Sequence, residues 1–188
     1  EILIGLVGSE MCIRDSNITY GNNVVAAMRK VSNIYFDTHL MVTDPTNLIP
    51  LFALAGSNML TIHLESKGDT TANLKYIKKS GMNAGLAIKP ATDWKEVIPY
   101  LPLCDMVLVM TVEPGYGGQG FIPQCADKVA MLRKYCNENG FDKMNIQVDG
   151  GINTATAATV KDAGANVLVA GTYLFRAKDM KAAADAIR

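Results

Sequence analysis

His39, in FDTHLMV, and Asp149, in VDGG, are an imidazole and a carboxylate of the kind that can hold a divalent ion. An ion bound by such a pair would polarise a substrate carbonyl or hydroxyl, and the same carboxylate would move a proton at the adjacent carbon. Two residues do not make a metal site, and a lone strand-end His more commonly hydrogen-bonds a backbone carbonyl. Met41 and Met110 are either core packing or an apolar lining above the reacting carbon. His63 and Glu65, in HLES, read as pocket-lining or structural.

A second set of residues offers anion binding. In VMTVEPGYGGQGFIP, residues 109–123, Gly115, Gly117 and Gly120 fall on a G-x-G-x-x-G spacing. In a dinucleotide fold those glycines open a helix directly. Here Glu113 and Pro114 separate the strand from the glycines, and the following helix starts only around Pro123. VDGG and VAGT follow two later strand patterns, so Gly150, Gly151, Gly171 and Thr172 allow close backbone approach there. The loop over Gly115, Tyr116, Gly117 and Gly118 then reads as a cover lending further N–H groups. For any one glycine a tight turn or a helix cap is an equal alternative, but three consecutive strand ends built this way favour phosphate.

The elements that must position these groups recur along the chain. Apolar runs of strand length lie at 34–42, 59–66, 83–90, 106–112, 145–151 and 166–171, most of them nearly continuous in apolar character, as in parallel strands covered by helices. Amphipathic patterns over Pro45 to Ala55 and Ala126 to Cys136 predict helices between them. Asp44, and Asn153 or Thr154, are candidate N-caps, and Gly56, Gly81 and Gly164 sit where helices should end. The phrases AGSN at 55–58 and AGAN at 163–166 each precede a strand. His39, His63, Glu65, Lys89, Glu113 and Asp149 all fall at or near the C-terminal ends of strands. That distribution predicts a (β/α)8 TIM barrel, where nearly every strand contributes, over a doubly wound sheet with one switch point.

Bulk properties limit the classes further. The 188 residues, 49% hydrophobic, suffice for one core, and 18 basic residues balance 18 acidic ones without clusters, which leaves no footprint for nucleic acid or an anionic membrane. ILIGLVG, the N-terminal apolar stretch, is shorter than the roughly 20 residues of a membrane span. Cys12, Cys104, Cys125 and Cys136 lack C-x-x-C spacing, so reduced thiols and a cytoplasmic location are expected. Exposed barrel faces would suit a homodimer or larger assembly.

FDTHLMV, HLES, GLAIKP, VLVMTVEPGYGGQGF, VDGGI and AGT occur together and in this order, and the chain thereby resembles the ribulose-phosphate 3-epimerase family from about Asn17 to the C-terminus. The resemblance implies a TIM barrel that interconverts D-ribulose 5-phosphate and D-xylulose 5-phosphate through a metal-stabilised cis-enediolate, with two Asp residues on opposite faces of the substrate. It implies that Asp149 is one acid/base and a metal ligand, that His39 is another ligand, and that Met41 and Met110 shield the enediolate. It assigns phosphate to Gly115 through Gly118, Gly150, Gly151, Gly171 and Thr172. The metal would be one of Zn²⁺, Fe²⁺, Mn²⁺ and Co²⁺, all of which imidazole and carboxylate accept.

The front of the chain departs from that pattern. The family places two strands and a helix before NITYG, with an early Ser and an H-x-D pair followed by M-D-G, whereas residues 1–16 here read EILIGLVGSEMCIRDS and contain no His. GLVGSEMCIRDS is similar to translated library-adapter sequence, so residues 1–16 are read as a non-family segment and 17–188 as a partial barrel of about six native βα units. Two of four expected metal ligands and the second Asp are then absent, and ILIGLVG could fill a vacant strand position without restoring them. The expectation is a chain with little or no turnover. Two alternatives remain: a non-catalytic phosphosugar-binding fragment, and another phosphate-binding barrel enzyme such as a decarboxylase.

Overall fold

The structure, a computed structural model, describes residues 9–10, 21–115 and 118–188. Seven parallel strands form one sheet in chain order: β1 (Ser9–Glu10), β2 (Asp37–Met41), β3 (Met59–His63), β4 (Asn83–Ile88), β5 (Met106–Met110), β6 (Asn145–Asp149) and β7 (Val167–Val169). Sequential order without a reversal is barrel order and leaves no switch point, which removes the dinucleotide-fold reading of the glycines. The two-residue β1 pairs through Ser9 with Leu40 and through Glu10 with Met41. ILIGLVG lies outside the described residues.

Helices alternate with the strands: α1 (Asn22–Arg29), α2 (Ile49–Ala55), α3 (Thr70–Lys79), α4 (Gln124–Glu138), α5 (Thr154–Asp162), α6 (Gly171–Phe175) and α7 (Met180–Ile187). A 3₁₀ helix over Trp94–Leu103 connects β4 to β5; Pro99 and Pro102 within it lack the N–H groups that a regular α-helix would use. Two expected boundaries shift. α2 starts at Ile49 rather than Pro45, because Asp44 accepts from Thr46 N–H at 3.0 Å and closes a separate turn first. α4 begins at Pro123, its N-cap, as expected, but runs past Cys136 to Glu138, with Asn139 as C-cap. Asn153 is the α5 N-cap, forming a reciprocal box with Thr156.

Alternation along the strands sorts side chains between two apolar layers. Leu40, Leu60, Ile62, Leu86, Ile88, Val107, Val109, Ile146 and Val148 belong to the large core under the helices. Ala87, Leu108, Met110 and Val112, with Met41 against them, form a smaller cluster inside the sheet's curve. The curvature is measurable. Gln147 Nε2 on β6 donates to Asp37 Oδ2 on β2 at 2.7 Å. Four strand intervals in a flat sheet would span roughly 19 Å at about 4.8 Å each. The sheet therefore curls until β2 and β6 face each other, although among the described residues β7 and β1 are not paired.

The AGSN and AGAN phrases mark one device used twice. Arg29 Nε and Arg133 Nε donate to the carbonyls of Gly56 and Gly164 at 3.0 and 2.9 Å. Asn58 Oδ1 and Asn166 Oδ1 accept from those same arginines and from the backbone N–H of Phe36 and Ile146. Each clamp ties a helix end to the start of the neighbouring strand. The glycine is required because its φ is +91° or +102° and a Cβ would lie within 2.9 or 2.5 Å of the arginine side chain.

Candidate active site

Strand ends and the loops behind them bound a cavity of about 1010 Å³. Met41, Met110, Gly115, Gly118, Asp149, Gly150, Gly151, Gly171 and Thr172 line it, so most of the residues singled out in the sequence meet in one place. Tyr116 and Gly117 lie outside the described residues. Glu113, Asn153, Thr156, Tyr173 and Arg176 also line the cavity. Glu113 was noted as a strand-end residue and Asn153 as a candidate N-cap; Thr156, Tyr173 and Arg176 went unremarked in the sequence, because each follows a strand by several residues and its loop sets its direction.

Hydrogen bonds from the strand ends fix the glycine turns. Thr111 N–H donates to Asp149 O at 2.8 Å, Thr111 Oγ1 donates to Gly150 O at 2.6 Å, and Ile122 N–H returns to Thr111 O at 2.9 Å. The glycine-rich loop thus leaves and re-enters the sheet at one residue. Thr156 Oγ1 holds Gly151 O at 2.9 Å from the first turn of α5. A Cβ on Gly151, at φ +66°, would lie 2.5 Å from Phe121 N, so the turn after β6 and the end of the loop pack backbone against backbone. Gly171 and Thr172 open α6, where the first N–H groups have no acceptor within the helix.

His39 does not line the cavity; it stands behind Asp149, 5% exposed. Its Nδ1 is 3.9 Å from Asp149 Oδ2. Burial lowers the His39 pKa below the ordinary value, Asp149 opposes that shift, and the neighbouring His63 adds to it. His39 Nε2 lies 2.8 Å from His63 Nε2, and the rings stack at 4.8 Å between centroids. His63 Nδ1 is 3.1 Å from Glu65 Oε2. His63 and Glu65 therefore belong to a polar line that ends at the site.

Asp37 is a residue that the sequence reading passed over. Burial pushes its carboxyl up to about 6, the Gln147 hydrogen bond opposes that shift, and the charge of Asp149 adds to it. Its Oδ1 and Thr61 Oγ1 are buried without a hydrogen-bond partner. Period-two alternation was the available signal: in DTHLM it sets Asp37, His39 and Met41 on one face.

His39 Nδ1 and Asp149 Oδ2 are two donors suited to a divalent ion. Among the described residues no group of three or more His, Cys, Asp or Glu could hold one. Two donors fall short of the four that close a site such as zinc's, so the described residues do not by themselves fit a bound metal.

The sequence matches the ribulose-phosphate 3 epimerase family over residues 13–175. It is 39% identical over 172 residues to ribulose-phosphate 3-epimerase of Bacillus subtilis (strain 168), covering 92% of this chain and 79% of that protein. It is 38% identical over 165 residues to the Chlamydia pneumoniae enzyme of the same name, covering 87% and 72%, and 42% identical over 165 residues to that of Schizosaccharomyces pombe, covering 86% and 70%. Among solved structures, KGPDC from Streptococcus mutans superposes at a TM-score of 0.67 with 14% identity, covering 88% of this chain and 76% of that one. Orotidine 5′-phosphate decarboxylase from Pyrococcus horikoshii OT3 superposes at 0.59 with 16% identity, covering 88% and 79%; both likenesses concern the fold alone. The chain therefore belongs to the ribulose-phosphate 3-epimerase family, a family of isomerases.

Proposed function

We propose that the cavity binds a pentulose 5-phosphate and that Asp149 is one of the two acid/base groups of its epimerisation at C3. The observation that supports this reading is the meeting of Asp149 with three glycine-bearing strand ends in one cavity. Phosphate is placed by backbone N–H groups of the turns after β5, β6 and β7, with Gly171 and Thr172 contributing from the start of α6. That end is open: a Cβ at Gly115, Gly118 or Gly171 would meet nothing within 4 Å. Met41 and Met110 give the carbon chain an apolar surface, which keeps water from a carbanionic centre.

Asp149 takes the C3 proton from one face, leaving an enediolate whose charge must be opposed by nearby dipoles or cations. Inversion then needs a proton delivered on the other face. The described residues lining the cavity include no second Asp. With the groups that the described residues supply, binding of the sugar phosphate and exchange of the C3 hydrogen are expected to outpace inversion of that carbon. A non-catalytic phosphosugar-binding role differs by showing no exchange at all.

Titration calorimetry with ribulose 5-phosphate, with and without excess inorganic phosphate, tests the binding half of this reading. Binding that phosphate competes away is expected. Absence of binding, or binding indifferent to phosphate, would remove the reading.

A further inference from the structure

Charge around the cavity is uneven. Glu113 and Asp149 line it as acids, and Arg176 is the only Lys, Arg or His among the described residues that do so. A pentulose 5-phosphate adds about two negative charges at neutral pH. Backbone N–H groups offer it partial charges, so Arg176 is the one full positive charge that the described lining sets against the anion.

The local structure directs this side chain at the phosphate end. Arg176 is the C-cap of α6 and keeps helical angles, φ −89° and ψ −9°, and its N–H donates to Thr172 O at 3.2 Å. Residues four apart share a helix face, and the Cα–Cβ bond tilts toward the helix N-terminus. The side chain therefore leans back over the turn that Gly171 and Thr172 begin, and both of these line the same cavity. Arg29 and Arg133 are held in their clamps, whereas the exposed Arg176 side chain makes no hydrogen bond or ion pair among the described residues. Its planar fork of donors is free to match two phosphate oxygens at once.

We propose that Arg176 is a specificity-determining residue whose guanidinium closes on the substrate phosphate and favours a phosphorylated pentulose over the neutral sugar. The proposal deepens the reading of this cavity as a pentulose phosphate site and rests on it. Because the side chain is exposed, its pull on the anion is moderate and is screened by salt.

The test is titration calorimetry of the full chain with ribulose 5-phosphate at about 50 and about 500 mM sodium chloride, for wild type, Arg176→Gln and Arg176→Lys. Arg176 holds no other described part of the chain, so neither variant is expected to lose the fold. At low salt Arg176→Gln should bind about tenfold more weakly than wild type, and Arg176→Lys, which keeps the charge but not the fork, should lose less. High salt should weaken wild type more than Arg176→Gln, so that the two affinities converge; a merely structural role would not produce that convergence. Neutral D-ribulose, titrated as a competitor, should bind wild type and Arg176→Gln alike. Equal affinities for ribulose 5-phosphate, a loss of the same size at both salt concentrations, or an equal loss for D-ribulose overturns the proposal. Absence of ribulose 5-phosphate binding by wild type is a different result, which removes the underlying reading and the proposal with it.

Discussion

At the scale of single residues, alternation along a strand decides what can meet. Asp37, His39 and Met41 share one face of β2, and Gln147 and Asp149 share one face of β6, so curling the sheet brings carboxylate to imidazole and amide to carboxylate. His39 and Asp149 were legible because imidazole and carboxylate at strand ends stand out against apolar runs. His63 and Glu65 carried the same signal, but their connection to His39 needs the register that sets His39 beside Thr61, which no local pattern encodes. Glu65 gives a pH-dependent prediction. Its folded pKa lies below its unfolded one, so its stabilisation is present above about pH 4.5 and is lost as pH falls toward 2. The residue is exposed overall, though its side chain is only 22% exposed, and screening reduces the gain to about 1 kcal/mol. Unfolding free energies of wild type and Glu65→Gln from urea titration should differ by that amount at pH 6 and by less at pH 3; an equal gap at both values would contradict the assignment. For Asp149→Asn the expected result is loss of C3–H exchange into D₂O by about 100-fold or more, read by proton NMR. Unchanged exchange would remove Asp149 from the chemistry.

At the scale of elements, the site depends on how the turns are held. Gly151→Ala puts a methyl 2.5 Å from Phe121 N in a left-handed conformation, which costs about 1–3 kcal/mol and displaces the loop that Thr111 anchors. The expected outcome is weakened phosphate binding together with a lower melting temperature; unaltered binding would show that the turn does not face the anion. The two Arg and Asn clamps make a parallel prediction. Asn58→Ala and Asn166→Ala each leave a strand-start N–H without its acceptor, costing about 1–3 kcal/mol by chemical denaturation. Similar losses at both sites are expected, because the two clamps join equivalent elements. The recurrence of AGSN and AGAN was visible in the sequence; the arginines that explain it lie 27 and 31 residues earlier, on α1 and α4, and could not be paired with the phrases without the fold. The late start of α2 was hidden for a related reason: Asp44 makes a good cap, but for a turn of its own.

At the scale of the whole molecule, strand spacing and polar strand ends were enough to select a barrel, and the sequential strand order bears that out. Its degree of closure was not legible, since closure depends on side chains crossing the interior, such as Gln147 to Asp37. The chain spans 70–79% of the length of the three relatives compared above, and its described residues supply one Asp at the cavity and two metal-type donors. No helix among the described residues is long and apolar enough to cross a membrane. The central proposal is that this site binds the family's sugar phosphate and that its described residues supply one of the two proton-transfer groups. The most direct measurement is conversion of ribulose 5-phosphate to xylulose 5-phosphate by the purified 188-residue chain, beside the Bacillus subtilis relative, with Mn²⁺, Co²⁺ or Zn²⁺ supplied to both. Turnover at least about 100-fold below the relative, despite phosphate-competed binding, is the predicted result. Turnover within about tenfold of it would mean that a second acid/base group acts in this chain and would contradict the account.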